Sequence, residues 1–151
     1  MRGLAEELPV VDAAAEVKAG KVSEDIDPAL AEYVAAYLEG LPQGWGAVKP
    51  ADLFEEMFDA MPDALIDVRS DEEWADPGYI EGATHIWIDE FTTRMDEWPA
   101  DKEANVVVYC ASSYRGGVTA TMLGLAGYTN VRNMSGGIKA WIAAELPVIK
   151  E

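Results

Sequence analysis

Cysteine is almost missing from this chain: Cys110 is the only one in 151 residues. A single thiol excludes an intrachain disulfide and any metal site built from several cysteines. Histidine is equally scarce, with His85 alone, so no Cys/His cluster suggests a metal, and no cofactor is expected. Bases are few as well, 11 Lys and Arg against 28 Asp and Glu, for a formal charge of −17. That balance argues against nucleic acid as a partner, because binding phosphates takes surplus Lys and Arg. It disfavours an acidic membrane surface for the same reason. No apolar run approaches the ~20 residues of a membrane span. There is no glycine-rich nucleotide loop, internal repeat or low-complexity tract. The stretch from Met1 to Val17 lacks the apolar h-region of a signal peptide. A mature chain that had lost its signal would read the same way, which leaves cytoplasmic and periplasmic locations both open.

What is present centres on Asn105 to Gly127. Val106, Val107, Val108 and Tyr109 form a continuous β-branched and aromatic run, the pattern of a strand buried on both faces. The run ends at Cys110. Four residues separate it from Arg115, and Gly116-Gly117 lead into Val118, Met122 and Leu125 at helical spacing, closed by Gly127. The thiol is thus expected where a strand turns into a helix, on a loop of small and polar residues. Loop amides and a helix N-terminus favour an anion there, and a nearby guanidinium pushes a cysteine toward thiolate, the nucleophilic form. A small buried core residue is the competing fate of a free cysteine. A core cysteine has no need of Ala-Ser-Ser-Tyr-Arg-Gly-Gly after it, so the nucleophile is the reading adopted.

Taken in order, residues 1 to about 26 read as an acidic, alanine-rich peripheral arm. Asp27-Pro28 opens a helix with Leu30, Val34, Tyr37 and Leu38 on its apolar face, stopped by Gly40. Trp45, in a Gly/Pro linker, is expected to anchor this arm to the main body. Pro50 starts a second helix, with Leu53, Phe54, Met57 and Phe58 assigned to the core. Ala64 to Val68 reads as a strand, Ser70 with Glu73 as a capping box, and Thr84 to Ile88 as another strand. A less regular segment holds Phe91, Met95 and Trp98. Asn130 to Met134 is extended, and a helix follows from Ile138 to Ala144. Strands alternating with helices indicate an α/β layered fold with a largely parallel sheet. In such sheets ligands sit at the carboxyl ends of the strands, which would bring Cys110 and Arg69 to one crevice.

With these residues placed, the chain resembles a single-domain rhodanese, or thiosulfate:sulfurtransferase-like, protein. Four landmarks carry the resemblance, in the family's order: Leu65-Ile66-Asp67-Val68-Arg69, Gly78 to Ala83, the loop Cys110 to Arg115, and Gly136-Gly137-Ile138-Lys139-Ala140-Trp141 through Val148. It implies a three-layer α/β domain over 48–151, a mostly parallel central sheet flanked by helices. Residues 1–47 form a helical extension outside the resemblance and a candidate homodimer interface. The family often has His at Tyr79, Pro at Trp87, Gly near Ser113 and Ser at Gly116.

The implied chemistry is a sulfane sulfur carried as a persulfide on Cys110. An anionic donor such as thiosulfate or polysulfide supplies it, and a thiol or cyanide-like acceptor removes it. Ala111, Ser112, Ser113, Tyr114, Arg115 and Gly116 form the substrate loop, with Arg115 either meeting the donor or holding the loop through carboxylates. Asp67 and Arg69 read as support, Arg69 paired to an acid among Asp71 to Glu73. Two other readings stand beside this one: a catalytically idle binding module, and a cysteine phosphatase. Phosphate cradles of the latter kind resemble a loop one residue longer. A Cys-His hydrolase would have to use His85, whose strand position suits a packed or edge residue better than a base.

Overall fold

The computed structural model describes residues 26–150, so the acidic arm expected before residue 26 lies outside the described residues. The strands are β1 (Ala47–Val48), β2 (Ala64–Asp67), β3 (Thr84–His85), β4 (Val106–Tyr109) and β5 (Val131–Met134). They form one sheet in the order β1-β5-β4-β2-β3, and every pairing is parallel. The helices are α1 (Pro28–Glu39), α2 (Pro50–Asp59), α3 (Asp71–Ala75), α4 (Tyr114–Leu125) and α5 (Gly137–Ala143).

The valine run becomes β4, flanked by β2 and β5 and buried at every residue. Both faces are covered, as parallel sheets require. The period-two alternation of side chains divides the core in two. Leu65, Val107 and Tyr109 join Leu53, Ile138 and Trp141 beneath α2 and α5. Ile66, Val68, Val106, Val108 and Cys110 join Leu123 and Tyr128 on the α4 side. A fully buried Val, Leu or Ile contributes roughly 1.5–3 kcal/mol, so the two clusters together hold the layers. The expected α/β architecture, with its parallel sheet and N-terminal helical extension, is the one observed.

Several local expectations are corrected. In α1, Leu30 and Leu38 are exposed; of the expected face Val34 and Tyr37 are half-buried, and the helix docks through Tyr37 and through Tyr33, whose hydroxyl donates to the Leu125 carbonyl. Tyr37 lies so close to Gly124 that a Cβ there would stand 2.4 Å from the ring. Trp45 is 76% exposed and anchors nothing. Positive φ angles at Gly44, Trp45 and Gly46 (80°, 59° and 69°) make a turn that leaves the indole outside. Phe58 is exposed too: Phe54 takes the edge contact with Trp141, and Phe58 packs edge-on against Phe54. The strand expected over Thr84 to Ile88 keeps two residues before a 3₁₀ turn at Ile88–Glu90. In α4 the buried stripe is Gly116, Thr119 and Leu123, while Val118 faces solvent.

A cavity of about 870 Å³ separates α1 and the linker from α4 and β5. It touches Gly117 and Asn133 at the back of the cysteine loop but not Cys110.

Candidate active site

The site is assembled from the C-terminal end of β4. Because Cys110 continues the alternation of Val106 and Val108, its side chain falls on the α4 side of the sheet. It is buried, at 1% exposure, rather than displayed on the surface. The chain then turns sharply. Ser113 adopts a left-handed conformation (φ 87°) as the N-cap of α4, a region that disfavours any residue with a Cβ and that glycine enters freely. This is where the sequence has Ser instead of the glycine usual in the resembling family. The hydroxyl compensates: it accepts from the Gly136 N–H and donates to the Met134 carbonyl. The Ser113 carbonyl in turn accepts from the Asn133 side-chain amide at 3.2 Å and from the Gly117 N–H at 2.8 Å.

Gly116 answers to the same neighbour. A Cβ there would meet Asn133 Oδ1 at 2.3 Å, so a serine at this position would force the Asn133 amide to move. The two departures from the family's loop wording therefore both meet β5. Asn133 Oδ1 is buried and, among the described residues, has no hydrogen-bond partner. A second glycine brings in α5: a Cβ on Gly137 would stand 2.2 Å from the Cys110 carbonyl. That close approach lets the Ile138 N–H reach the Cys110 carbonyl at 2.8 Å and the Lys139 N–H reach Ala111 at 3.2 Å.

The loop's own donors stay open. Among the described residues, the backbone N–H groups of Ser112, Ser113, Tyr114, Arg115 and Gly116 find no acceptor. Those of the first helical turn are the ones a helix always leaves over. Ser112 and Tyr114 are exposed at the loop's rim, Ala111 and Ser113 are half-buried, and Gly116 is buried. The loop that follows the buried sulfur thus carries a run of unspent amides, and such amides favour an anion.

Arg115 makes a two-pronged pair with Glu73, Nη1 to Oε2 at 2.6 Å and Nη2 to Oε1 at 2.7 Å. The Glu73 carboxyl is held well below the usual range, at about 2, first by the Arg115 guanidinium and then by the Ser70 N–H, against the effect of burial. Arg115 is raised, chiefly by Glu73, with a smaller contribution from the Cys110 side chain beside it. Glu73 also completes the α3 capping box with Ser70, the one role its sequence position revealed. Its grip on Arg115 spans 42 residues.

Arg69 and Asp67 form a buried pair, a different partner from the one expected. The fully buried Arg69 guanidinium bonds the Asp67 carboxylate at 2.6–2.9 Å. It also donates to the Glu73 and Gly78 carbonyls, at 2.6 and 2.8 Å. The acids expected to pair with it, Asp71 to Glu73, supply only that one carbonyl. Nor does Arg69 share the cysteine's side of the sheet. Asp67 is in register with Tyr109, and the Arg69 guanidinium stands 5.8 Å from the Tyr109 ring centroid, on the α2/α5 side. Burial, first, and the Asp67 charge raise the Tyr109 phenol far above its usual value. His85 stacks on Trp74 at 4.7 Å and its Nε2 lies 2.8 Å from the Arg69 carbonyl, a packed role at the sheet edge.

Sequence reasoning missed Asn133 and the pairing duty of Glu73. Neither is signalled locally, because each acts on the loop from another element. Among the described residues no group of His, Cys, Asp and Glu is arranged to hold a metal, and no helix is long and apolar enough to cross a membrane.

Comparison with known proteins points to one family. The profile of the rhodanese-like domain matches residues 50–144. A sulfurtransferase of Allochromatium vinosum is 34% identical over 97 residues, covering 64% of this chain and 88% of the relative. Among solved structures, a rhodanese-related protein of Thermoplasma volcanium has a TM-score of 0.61 at 27% identity, covering 70% of this chain and 98% of its own. A rhodanese-like domain protein of Staphylococcus aureus has a TM-score of 0.57 at 27% identity, covering 63% and 89%. The match extends from the start of α2 through α5 and takes in every residue of the cysteine loop: the chain belongs to the rhodanese-like domain family.

Proposed function

We propose that the protein is a sulfurtransferase carrying a sulfane sulfur as a persulfide on Cys110, taken from thiosulfate or polysulfide and passed to a thiol or cyanide-like acceptor. The observation that carries this reading is the single buried cysteine at the head of a six-residue loop, Cys110 to Arg115, whose backbone amides are largely unspent. Its likeness to a protein named a sulfurtransferase supports the same reading.

The thiolate attacks the donor's outer sulfur, and the displaced group leaves with the electron pair of the broken S–S bond. With thiosulfate the leaving group is sulfite. The persulfide is again an anion, so one amide cradle serves both halves of a ping-pong cycle. Burial favours a slim terminal sulfur over a bulky group. Ser113 and Asn133 keep the loop in the conformation that presents its amides.

The test is intact mass after incubation with thiosulfate or polysulfide. The wild type is expected to gain the mass of one sulfur, Cys110→Ser none, and cyanide to release thiocyanate from the loaded protein. Absence of an adduct with every sulfane donor, together with no thiocyanate, overturns the reading in favour of an idle binding module. Hydrolysis of a chromogenic aryl phosphate would favour a phosphatase instead.

A further inference from the structure

We infer that Glu73 is a specificity-determining residue that turns the site away from thiosulfate and toward a persulfide borne on a thiol. The inference deepens the sulfurtransferase reading and rests on it.

Thiosulfate is a dianion whose transferable sulfur is attached to a sulfonate-like group of three oxygens. Drawing it to a thiolate means bringing negative charges together, and a free guanidinium beside the sulfur would offset that cost. Arg115 is the guanidinium in place, yet both its Nη atoms are given to Glu73 at 2.6 and 2.7 Å. A two-pronged carboxylate satisfies the fork geometry through which arginine binds oxyanions, and it cancels the charge. The carboxyl stays ionised through the physiological range. Lys139, the other cation brought to this loop by its backbone bond to Ala111, has an exposed side chain, so its charge is hydrated and screened. The remaining anion-binding equipment is the unspent backbone amides of the loop. Amides suit the charge on a sulfur atom but supply no net charge for a sulfonate.

A thiol-borne persulfide asks for less. The Cys110 thiolate attacks its outer sulfur, the bond between the donor's two sulfurs breaks, and the donor thiolate leaves with the electron pair. The outer sulfur carries its proton to Cys110 and then loses it to solvent, the transferred sulfur keeps its oxidation level, and no external oxidant or reductant is involved. Beyond the sulfurs themselves, no anionic group need approach Arg115.

Glu73 could instead be purely structural, since it caps α3 and steadies the loop. The two roles differ in what they do to donor preference. Glutamine still serves a capping box, so Glu73→Gln keeps α3 while releasing the guanidinium charge. The experiment measures kcat/KM of the full chain with thiosulfate and with glutathione persulfide. The ratio of thiosulfate to persulfide is expected to rise about tenfold in Glu73→Gln, ~1.4 kcal/mol of discrimination. It should return to the wild-type ratio or lower in Glu73→Gln/Arg115→Gln. An unmoved ratio, with both donors faster or slower to the same degree, overturns the assignment of Glu73 alone. A wild type that takes sulfur from neither donor overturns the sulfurtransferase reading, and this inference with it.

Discussion

Two arginine–carboxylate pairs stand at the carboxyl ends of neighbouring strands, and they do opposite work. Asp67–Arg69 is sealed, with side chains 0% and 1% exposed, and every polar atom of the guanidinium meets a carboxylate or a carbonyl. Glu73–Arg115 is about one-third exposed on both sides and lies beside the reactive sulfur. Both use the same chemical groups at similar distances. What separates them is the face of the sheet: the pleat sends Asp67 and Tyr109 toward α2 and α5, but Cys110 toward α4. A buried pair holds shape and cannot be opened cheaply, whereas a half-exposed one can be exchanged, screened or titrated. The fold thus keeps its rigid ion pair away from the chemistry and its adjustable one at the chemistry.

The sharpest way to break this contrast is to remove one member of the sealed pair. Asp67→Ala strands a buried guanidinium and is expected to cost about 3–5 kcal/mol, read as a drop in the urea midpoint. The double change Asp67→Leu/Arg69→Met should recover most of that loss, because apolar groups of similar volume replace a buried pair without an orphaned charge. If the single change costs under about 1 kcal/mol, the pair belongs with the exposed class. At the exposed pair, Glu73→Ala should cost only ~0.5–1 kcal/mol from the lost ion pair and cap, measured in the same unfolding series. Its larger consequence is expected in donor preference.

An effect of similar size is expected in acid. The folded-state Glu73 carboxyl is held at about 2 against an ordinary 4.5, so in that window the unfolded chain binds more protons than the folded one. Stability from this group is complete above the ordinary value and is lost as pH falls through about 2. Solvent screening keeps it to about 1 kcal/mol. The gap in unfolding free energy between wild type and Glu73→Gln should be constant above pH ~5 and shrink below pH ~4.5. A gap that widens in acid would contradict the sign.

Much of the site was legible in one dimension. Cys110 closes a β-branched run, and the count to Arg115 set the loop size. Ser70 and Glu73 spelled a capping box that the structure contains. Those features depend on neighbours within a turn or a strand, where composition and spacing carry the physics. Trp45 and Phe58 misled because hydrophobicity does not say which apolar residue wins a contact: Tyr37 and Phe54 already fill the places beside α4 and Trp141. The odd wording of the loop became intelligible only with β5 beside it. Ser113 tolerates its left-handed backbone through Gly136 and Met134, and Gly116 makes room for Asn133.

By itself, then, the sequence determined the alternation of strands and helices, the place of the thiol at the end of a central strand, and the length of the loop around it. Tertiary structure decided the rest: which side of the sheet each strand-end residue faces, that Arg69 closes on Asp67, and that Arg115 closes on a carboxylate 42 residues away. The reason is physical. Local order follows from backbone sterics and periodicity, whereas the partner of a charge is whichever opposite charge the packed layers bring within reach.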